Sequence, residues 1–259
     1  MYNKRILFLF ISISNLVYAQ NGSWTIGFNT GLRGEVMQGS EKHRLYKFGS
    51  QVSSPPLELN CFYGLTNQLS VGLGIGYIEH YARWKSHGYP YYFNINQNGF
   101  GNYNYLMYKS LQIPLSIKWD IPLFNSKFGL ISTIGLTFDI PISKLPIMFN
   151  STLQSNIIYE ETDCIFTQFH TFYPYNKKIN YILKTGFGCI CHFKNGMNIS
   201  LTGEYHVGTR LMQEVNVVEY LTIKANNKII EPYEDRLLDY GSYWNISLGI
   251  SYTFQKNKF

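Results

Sequence analysis

The end of the chain shows the clearest pattern of apolar and polar positions. From Tyr243 to Phe254, large apolar side chains alternate with small or polar ones. The large apolar positions are Trp244, Ile246, Leu248, Ile250, Tyr252 and Phe254. Successive side chains of a β-strand point to opposite faces, so this segment predicts a strand with one apolar face and one largely polar face. An apolar outer face and a polar inner face are typical of strands in transmembrane β-barrels.

The same alternation recurs in eight segments along the chain. They cover residues 23–36, 56–65, 69–82, 107–119, 127–141, 180–193, 197–210 and 242–254. The connections are alternately long and short, so all the long ones fall at one end of the predicted sheet. This layout predicts an all-β, transmembrane, antiparallel, up-and-down β-barrel of about eight strands, with long extracellular loops and short periplasmic turns. Two further strands inside the loops at 142–179 or 211–241 would instead enlarge the barrel and favour a channel.

The facing of the strands separates this barrel from a soluble one. A lipocalin is also up-and-down, but its interior is the apolar side. Here Leu69, Val71 and Leu73 alternate with Ser70 and Gly72, so we expect the large side chains outside and the small ones inside. A lumen enclosed by about eight strands is only wide enough to be filled by side chains. Most inward residues must therefore be small, as they are here.

Aromatic residues mark both predicted edges of the lipid-facing band, as in the girdles of membrane barrels. The predicted interface aromatics are Trp24, Trp119, Trp244, Tyr252 and Phe254. Phe254 keeps phase with Ile250 and Tyr252, whereas the terminal Phe259 does not. We therefore expect Phe254 to serve as the signal read by the barrel-assembly machinery.

Pro114 interrupts one predicted strand. Proline has no N–H for the ladder and is normally confined to sheet edges or bulges, and a closed barrel has no edge. The sequence therefore predicts a β-bulge between Ile113 and Leu115.

The segment around this proline carries a family resemblance. The run Leu111-Gln112-Ile113-Pro114-Leu115-Ser116-Ile117-Lys118-Trp119 resembles the Ile-Pro-Leu strand of the PorT-like outer-membrane β-barrel family of Bacteroidota. As in that family, the strand follows a long Tyr- and Asn-rich outer loop, here residues 85–106. The resemblance extends to the layout of the mature chain and implies a barrel in the outer membrane. Because the family is functionally mixed, it implies no particular activity.

The N-terminus indicates export. Lys4 and Arg5 precede an apolar stretch over residues 6–13, and Val17 and Ala19 suit cleavage after residue 19. We therefore assign residues 1–19 to a removed signal peptide and 20–259 to an outer-membrane barrel domain of a Gram-negative bacterium. Only 15% of residues are charged and 17% are aromatic, as expected of a lipid-facing surface.

Several ligand classes find little support in the sequence. The formal net charge of +6 is scattered and partly belongs to the leader, so nucleic acid is not expected. Cys189 and Cys191 lie on the face opposite His192, so a metal site is not expected either. We expect a monomer with no metal, no cofactor and no catalytic residues, surrounded by outer-membrane lipids.

Charged residues on the inward faces are the candidate site. Counting from the strand ends places Asp139, Lys184 and Glu204 at similar heights, so these three side chains are expected to meet. Arg33 and Glu58 also face the lumen. Charges inside a barrel must be paired or hydrated. The cluster is either a salt-bridged plug, which the narrow lumen favours, or a proton or ion site.

Other inward and loop residues suggest further functions. Ser200, Glu204 and His206 share an inward face and would suit an outer-membrane lipid hydrolase, but Ser200 lies far from the outer leaflet. The aromatic loop at 85–106 would suit a glycan or protein partner, since Tyr and Asn make adaptable contacts. We expect a filled barrel acting in envelope structure, surface binding, adhesion, or secretion and assembly. A narrow channel or transporter for small solutes is the alternative.

Overall fold

A computed structural model describes residues 22–39, 46–47, 55–86, 102–123, 127–143, 149–159, 162–173 and 178–254. The strands are β1 (Trp24–Gly39), β2 (Tyr46–Lys47), β3 (Leu57–Gly64), β4 (Leu69–Ser86), β5 (Asn102–Pro122), β6 (Phe128–Pro141), β7 (Phe149–Tyr159), β8 (Thr162–Phe172), β9 (Asn180–His192), β10 (Met197–Gly208), β11 (Gln213–Ile223) and β12 (Lys228–Phe254). The assigned signal peptide and most of the 85–106 loop lie outside the described residues.

Eight of these strands form a closed antiparallel barrel. Their order is β1-β3-β4-β5-β6-β9-β10-β12, and pairing of β12 with β1 closes the wall. The predicted all-β, eight-stranded barrel is confirmed. The barrel end that carries the β3–β4 and β9–β10 turns, together with Trp24 and Phe254, is called the short-turn end below.

The remaining longer strands form a second sheet at the opposite end. β12 runs past the barrel wall, and its residues 228–239 pair with β11, which pairs with β8, which pairs with β7. We call β7, β8, β11 and residues 228–239 of β12 the outer sheet. The loops at 142–179 and 211–241 therefore do contain strands, but these strands extend one wall strand outward and do not enlarge the barrel.

A local irregularity marks where β12 leaves the wall. The pairing with β1 shifts register between Val36 and Gln38. Gly241 adopts a positive φ of 69°, and its N–H donates to the Asp239 carboxylate at 2.7 Å. A positive φ is costly for residues with a Cβ, so glycine suits this position.

The outside of the barrel is a band of exposed apolar side chains drawn from every wall strand. Representative members are Ile26, Leu59, Leu73, Ile117, Ile134, Leu183, Leu201 and Leu248, each at least 46% exposed. Such a continuous apolar surface is unfavourable in water and matches the hydrocarbon core of a bilayer. Within the described ranges, no helix has the length and apolar character needed to cross a membrane.

Pro114 is accommodated without the predicted bulge, so that prediction is wrong. Pairing of β5 with β6 runs through Pro114 and Thr137 in unbroken register. On the other side, pairing with β4 skips Gly74 and Ile75 but resumes in the same register. Pro114 faces Gly74, whose missing side chain leaves room for the ring. The β4–β5 ladder therefore loses two pairs beside Pro114, but neither strand carries the extra residue that defines a bulge.

Candidate functional site in the barrel lumen

The inward faces of the wall strands carry two groups of charged side chains at different heights. Below, the group nearer the short-turn end is called the inner cluster and the group nearer the outer sheet is called the outer cluster. Both are built from alternate positions of regular strands, so the wall itself sets their positions.

Lys184 is the centre of the inner cluster. Its ammonium lies 2.9 Å from Glu204 Oε1 and 3.5 Å from Glu58 Oε1. Asn245 donates to the second oxygen of Glu204 at 3.1 Å, and His206 Nε2 lies 3.3 Å from the same atom. Lys184 is 5% exposed and Glu204 is 9% exposed. Charges buried to this degree need such paired and hydrogen-bonded surroundings.

The outer cluster joins Arg33, Glu35, His80 and Asp139. Arg33 forms an ion pair with Glu35 and donates to the backbone carbonyl of residue 79 at 2.9 Å. Arg33 Nη2 lies 3.0 Å from His80 Nδ1. The same ring nitrogen lies 3.7 Å from Glu35 Oε2.

His80 Nε2 faces the acidic side of the outer cluster. It lies 3.3 Å from Ser110 Oγ and 3.6 Å from Asp139 Oδ2. The other oxygen of Asp139 accepts hydrogen bonds from Ser110 and from Gln112, the latter at 2.9 Å. Arg33, His80, Ser110 and Asp139 are all 0% exposed. The lumen is therefore filled at this height.

Tyr243 connects the two clusters. Its hydroxyl donates to Gln112 Oε1 at 3.1 Å, and the Arg33 guanidinium carbon lies 4.2 Å from its ring centre. His206 stacks on the same ring at 4.0 Å. Because Arg33, Gln112 and His206 come from β1, β5 and β10, Tyr243 on β12 joins four wall strands. We call the outer cluster with Gln112 and Tyr243 the plug.

Space remains on the short-turn side of the plug. A cavity of about 50 Å³ is lined by Glu58, Lys184, Glu204 and small residues such as Ser200. A vestibule of about 380 Å³ opens at the short-turn end, beside Asp120 and His192. Lys118 lines both spaces. The vestibule and the cavity therefore adjoin at Lys118, with the inner cluster lining the cavity.

The sequence-predicted cluster is divided by the structure. Glu58, Lys184 and Glu204 meet, whereas Asp139 and Arg33 belong to the outer cluster. The register explains the division, because Asp139 pairs with Asn180, while Lys184 pairs with Gly135. Four residues along a strand correspond to roughly 13 Å. Counting from strand ends ignored the stagger between neighbouring strands.

His80, Gln112 and Tyr243 are plug residues to which sequence reasoning gave no role. The signal for His80 was present, since extending the alternation of residues 70–76 places position 80 on the inward face. Tyr243 was placed on the inward face but given no role. The contacts that give these residues their roles come from distant strands.

The candidate interface aromatics lie on the outside of the wall. Trp24, Trp119, Tyr252 and Phe254 are between 44% and 51% exposed. Trp244 is half-buried, and its ring covers Gly34 on the neighbouring strand.

The candidate hydrolase residues do not assemble. Glu204 and His206 are in contact, but His206 stacks on Tyr243, and Ser200 lies six positions away along β10. Six positions along a strand span roughly 20 Å, too far for a nucleophile and its base. Among the described residues, no group of three or more His, Cys, Asp or Glu side chains is placed to hold a metal.

Comparisons with known proteins return similar barrels and no family. No protein-family model and no curated protein matches the chain. The outer-membrane protein OprG of Pseudomonas aeruginosa is 11% identical with a TM-score of 0.42, covering 92% of this chain and 98% of that one. The N-terminal β-barrel domain of OprF from the same organism is 8% identical with a TM-score of 0.40, covering 91% and 98%.

A major outer-membrane protein of Thermus thermophilus is 9% identical with a TM-score of 0.38, covering 90% of this chain and 99% of that one. No residue correspondence follows at these identities.

Proposed function

We propose that this protein is an integral outer-membrane barrel of a Gram-negative bacterium, with a closed lumen and a binding surface at its outer end. The apolar band around the wall supports membrane residence, since closed barrels satisfy every backbone group without water. Short turns in membrane barrels face the periplasm, which puts the outer sheet on the cell surface.

The plug is the observation that carries the closed lumen. Arg33, His80 and Asp139 are each 0% exposed and come from three different wall strands. They are held by one another, so a solute could pass only if several buried ion pairs and hydrogen bonds broke together. A barrel closed in this way acts through its surface and loops.

The export pathway belongs to the same proposal. Residues 1–19 act as a cleaved signal peptide, and Phe254 contributes to recognition by the assembly machinery. The protein works as a monomer in envelope structure, adhesion or assistance to secretion. The PorT-like resemblance rests on the Ile-Pro-Leu segment and is consistent with these roles. A glycan or protein partner at the outer loops completes the proposal, which assigns no enzymatic activity.

Ion conductance of the refolded protein in a planar bilayer tests the closed lumen. We expect no steady current from the native chain. Replacing Arg33, Glu35, His80 and Asp139 together by alanine should open a current, because the plug's paired side chains are removed. The control replaces Lys109 and Glu79, which form an ion pair outside the lumen with 2.9 Å between Nζ and Oε1. This variant should show no current. A steady native current would overturn the closed lumen.

A narrow channel is the second candidate, and the spaces beside Lys118 favour it. The vestibule and the cavity adjoin at Lys118, and the cavity is lined by the inner cluster. A channel would then need only the plug to move. A steady native current that disappears when the inner-cluster charges are replaced would establish this function.

A further inference from the structure

β7 ends the outer sheet. It pairs with β8 through eleven consecutive residues, from Phe149 with Phe172 to Tyr159 with Thr162, with no register shift. Across the described ranges, no other strand pairs with β7. Every second residue of β7 therefore points its backbone N–H and C=O away from β8. This row of groups is a template for another strand.

The composition of β7 is unusual for an exposed edge. Proteins commonly protect edge strands with charged side chains, proline or bulges. β7 contains no Lys, Arg, Asp, Glu or Pro across Phe149–Tyr159. β11 carries Glu214 and has strand neighbours on both sides. Residues 228–236 of β12 pair with β11 alone among the described strands, and this second edge of the sheet carries Pro232 and several charged residues, for example Arg236. The β7 sequence therefore carries none of these protections against pairing.

The register of β7 defines which face an added strand would extend. Positions 149, 155 and 157 of β7 pair with Phe172, Phe166 and Cys164 of β8. These three β8 side chains are at most 2% exposed. The same row continues into β11 with Val215 and Leu221, both 0% exposed. A strand added at β7 would extend this buried face with every second residue.

We propose that the edge of β7 that pairs with no strand among the described residues binds an extended polypeptide segment by strand addition. The segment would carry apolar residues at alternate positions, and its backbone would supply most of the affinity. This inference rests on the proposed function, which places the outer sheet outside the cell and makes it the working surface. The partner is a segment of another polypeptide, and pairing between two copies of this chain is an outcome of the test.

A peptide copying β8 is the direct probe, because β7 already accepts that sequence over its whole length. The peptide spans Thr162–Phe172 with Cys164→Ser and carries a fluorophore. Titration into the full-length protein in detergent micelles should give saturable binding with about one peptide per barrel. A scrambled peptide and a copy N-methylated at alternate residues should bind at least tenfold more weakly, since N-methylation removes ladder donors.

Two proline variants supply the matched control on the protein. Neighbouring residues of a strand point their N–H groups to opposite sides, so Thr152→Pro and Leu153→Pro remove donors from opposite edges of β7. One variant should abolish peptide binding while the β7–β8 hairpin keeps its protection from amide hydrogen exchange. The other should lose protection in the hairpin itself. Heat-modified migration in gels verifies that both barrels are folded.

Peptide binding and the proline variants together test whether the partner pairs with β7. Equal binding of the native and N-methylated peptides, or undiminished binding in both proline variants, overturns strand addition at β7. Concentration-dependent dimerisation of the native chain that the same edge proline abolishes would replace the peptide partner by a second copy. A conducting native barrel with normal peptide binding would overturn the closed lumen and leave the edge site standing.

Discussion

Lys184 lies between two carboxylates inside the barrel, at 2.9 Å from Glu204 and 3.5 Å from Glu58. We predict that Lys184→Met lowers the stability of the folded barrel by about 3 kcal/mol, because the buried Glu204 and the partly buried Glu58 lose their countercharge. The temperature of the heat-induced gel shift measures this change. Lys194→Met, in the exposed β9–β10 turn, is the control and should leave the temperature unchanged.

Adding Glu204→Gln to Lys184→Met should recover part of the loss, since one unpaired charge is then removed. A Lys184→Met barrel as stable as the native one would show that the inner cluster contributes nothing to stability. A proton or ion site would then be the better account of these residues.

Asp239 provides a pH prediction at the point where β12 leaves the wall. Burial of its side chain raises the pKa of Asp239 from 3.8 to about 6, and the hydrogen bond from Gly241 N–H only partly opposes this effect. A pKa raised by folding favours the folded state below the unfolded pKa, and this contribution is lost as the pH rises through the folded pKa.

We therefore expect Asp239→Asn to stabilise the outer sheet above pH 6 by on the order of 2 kcal/mol, and to have little effect below about pH 4. Hydrogen exchange of the β11 and β12 amides at several pH values measures the difference. Equal pH dependence of the native and variant sheets would exclude Asp239 as its source.

The barrel strands show how one element adapts to a residue on its neighbour. Pro114 on β5 faces Gly74 on β4, where a Cβ would collide with the Asn60 side-chain oxygen and lie 2.8 Å from both the proline ring and the carbonyl of Leu59. We predict that Gly74→Ala destabilises the barrel by about 1–3 kcal/mol through overpacking.

Gly76→Ala is the matched control on the same inward face of β4. There a Cβ would lie 3.3 Å from the nearest atom, the carbonyl oxygen of Leu57, so a loss within about 0.5 kcal/mol is expected. Thermal unfolding in detergent compares the two variants. Equal effects would show that the proline ring does not require the glycine opposite it.

The whole molecule is asymmetric along its axis, with open space at the short-turn end and the plug beyond it. Single cysteines in a background lacking Cys61, Cys164, Cys189 and Cys191 test this asymmetry. A small charged methanethiosulfonate should modify Ser200→Cys, which lines the cavity, and spare Thr137→Cys, which is 2% exposed.

Similar modification rates at the two positions would mean that the reagent reaches the space between the inner cluster and the plug, so that the side chains around Thr137 do not fill the lumen there. Removing the plug side chains should raise the rate at residue 137 towards the rate at residue 200. This measurement is independent of conductance and reports on the same barrier.

The barrel itself was predictable from sequence because its cause is local. Each wall strand faces lipid on one side and a narrow lumen on the other. The alternation at Leu73, Gly74 and Ile75 therefore indicates both that the segment is a strand and which of its faces points to lipid. Strand number and the placement of short turns followed from counting such segments. The inward positions of Lys184 and Glu204 followed from the same alternation.

Only the tertiary structure decided which inward residues meet and what the long loops form. The stagger between wall strands separates Asp139 from Lys184 and joins it to His80, and no single strand encodes that offset. Pro114 is accommodated by a glycine on another strand, and β12 continues past the wall because β11 pairs with it. Alternation is imposed on each strand by the lipid and lumen beside it, whereas register and partner choice depend on contacts between residues far apart in the chain.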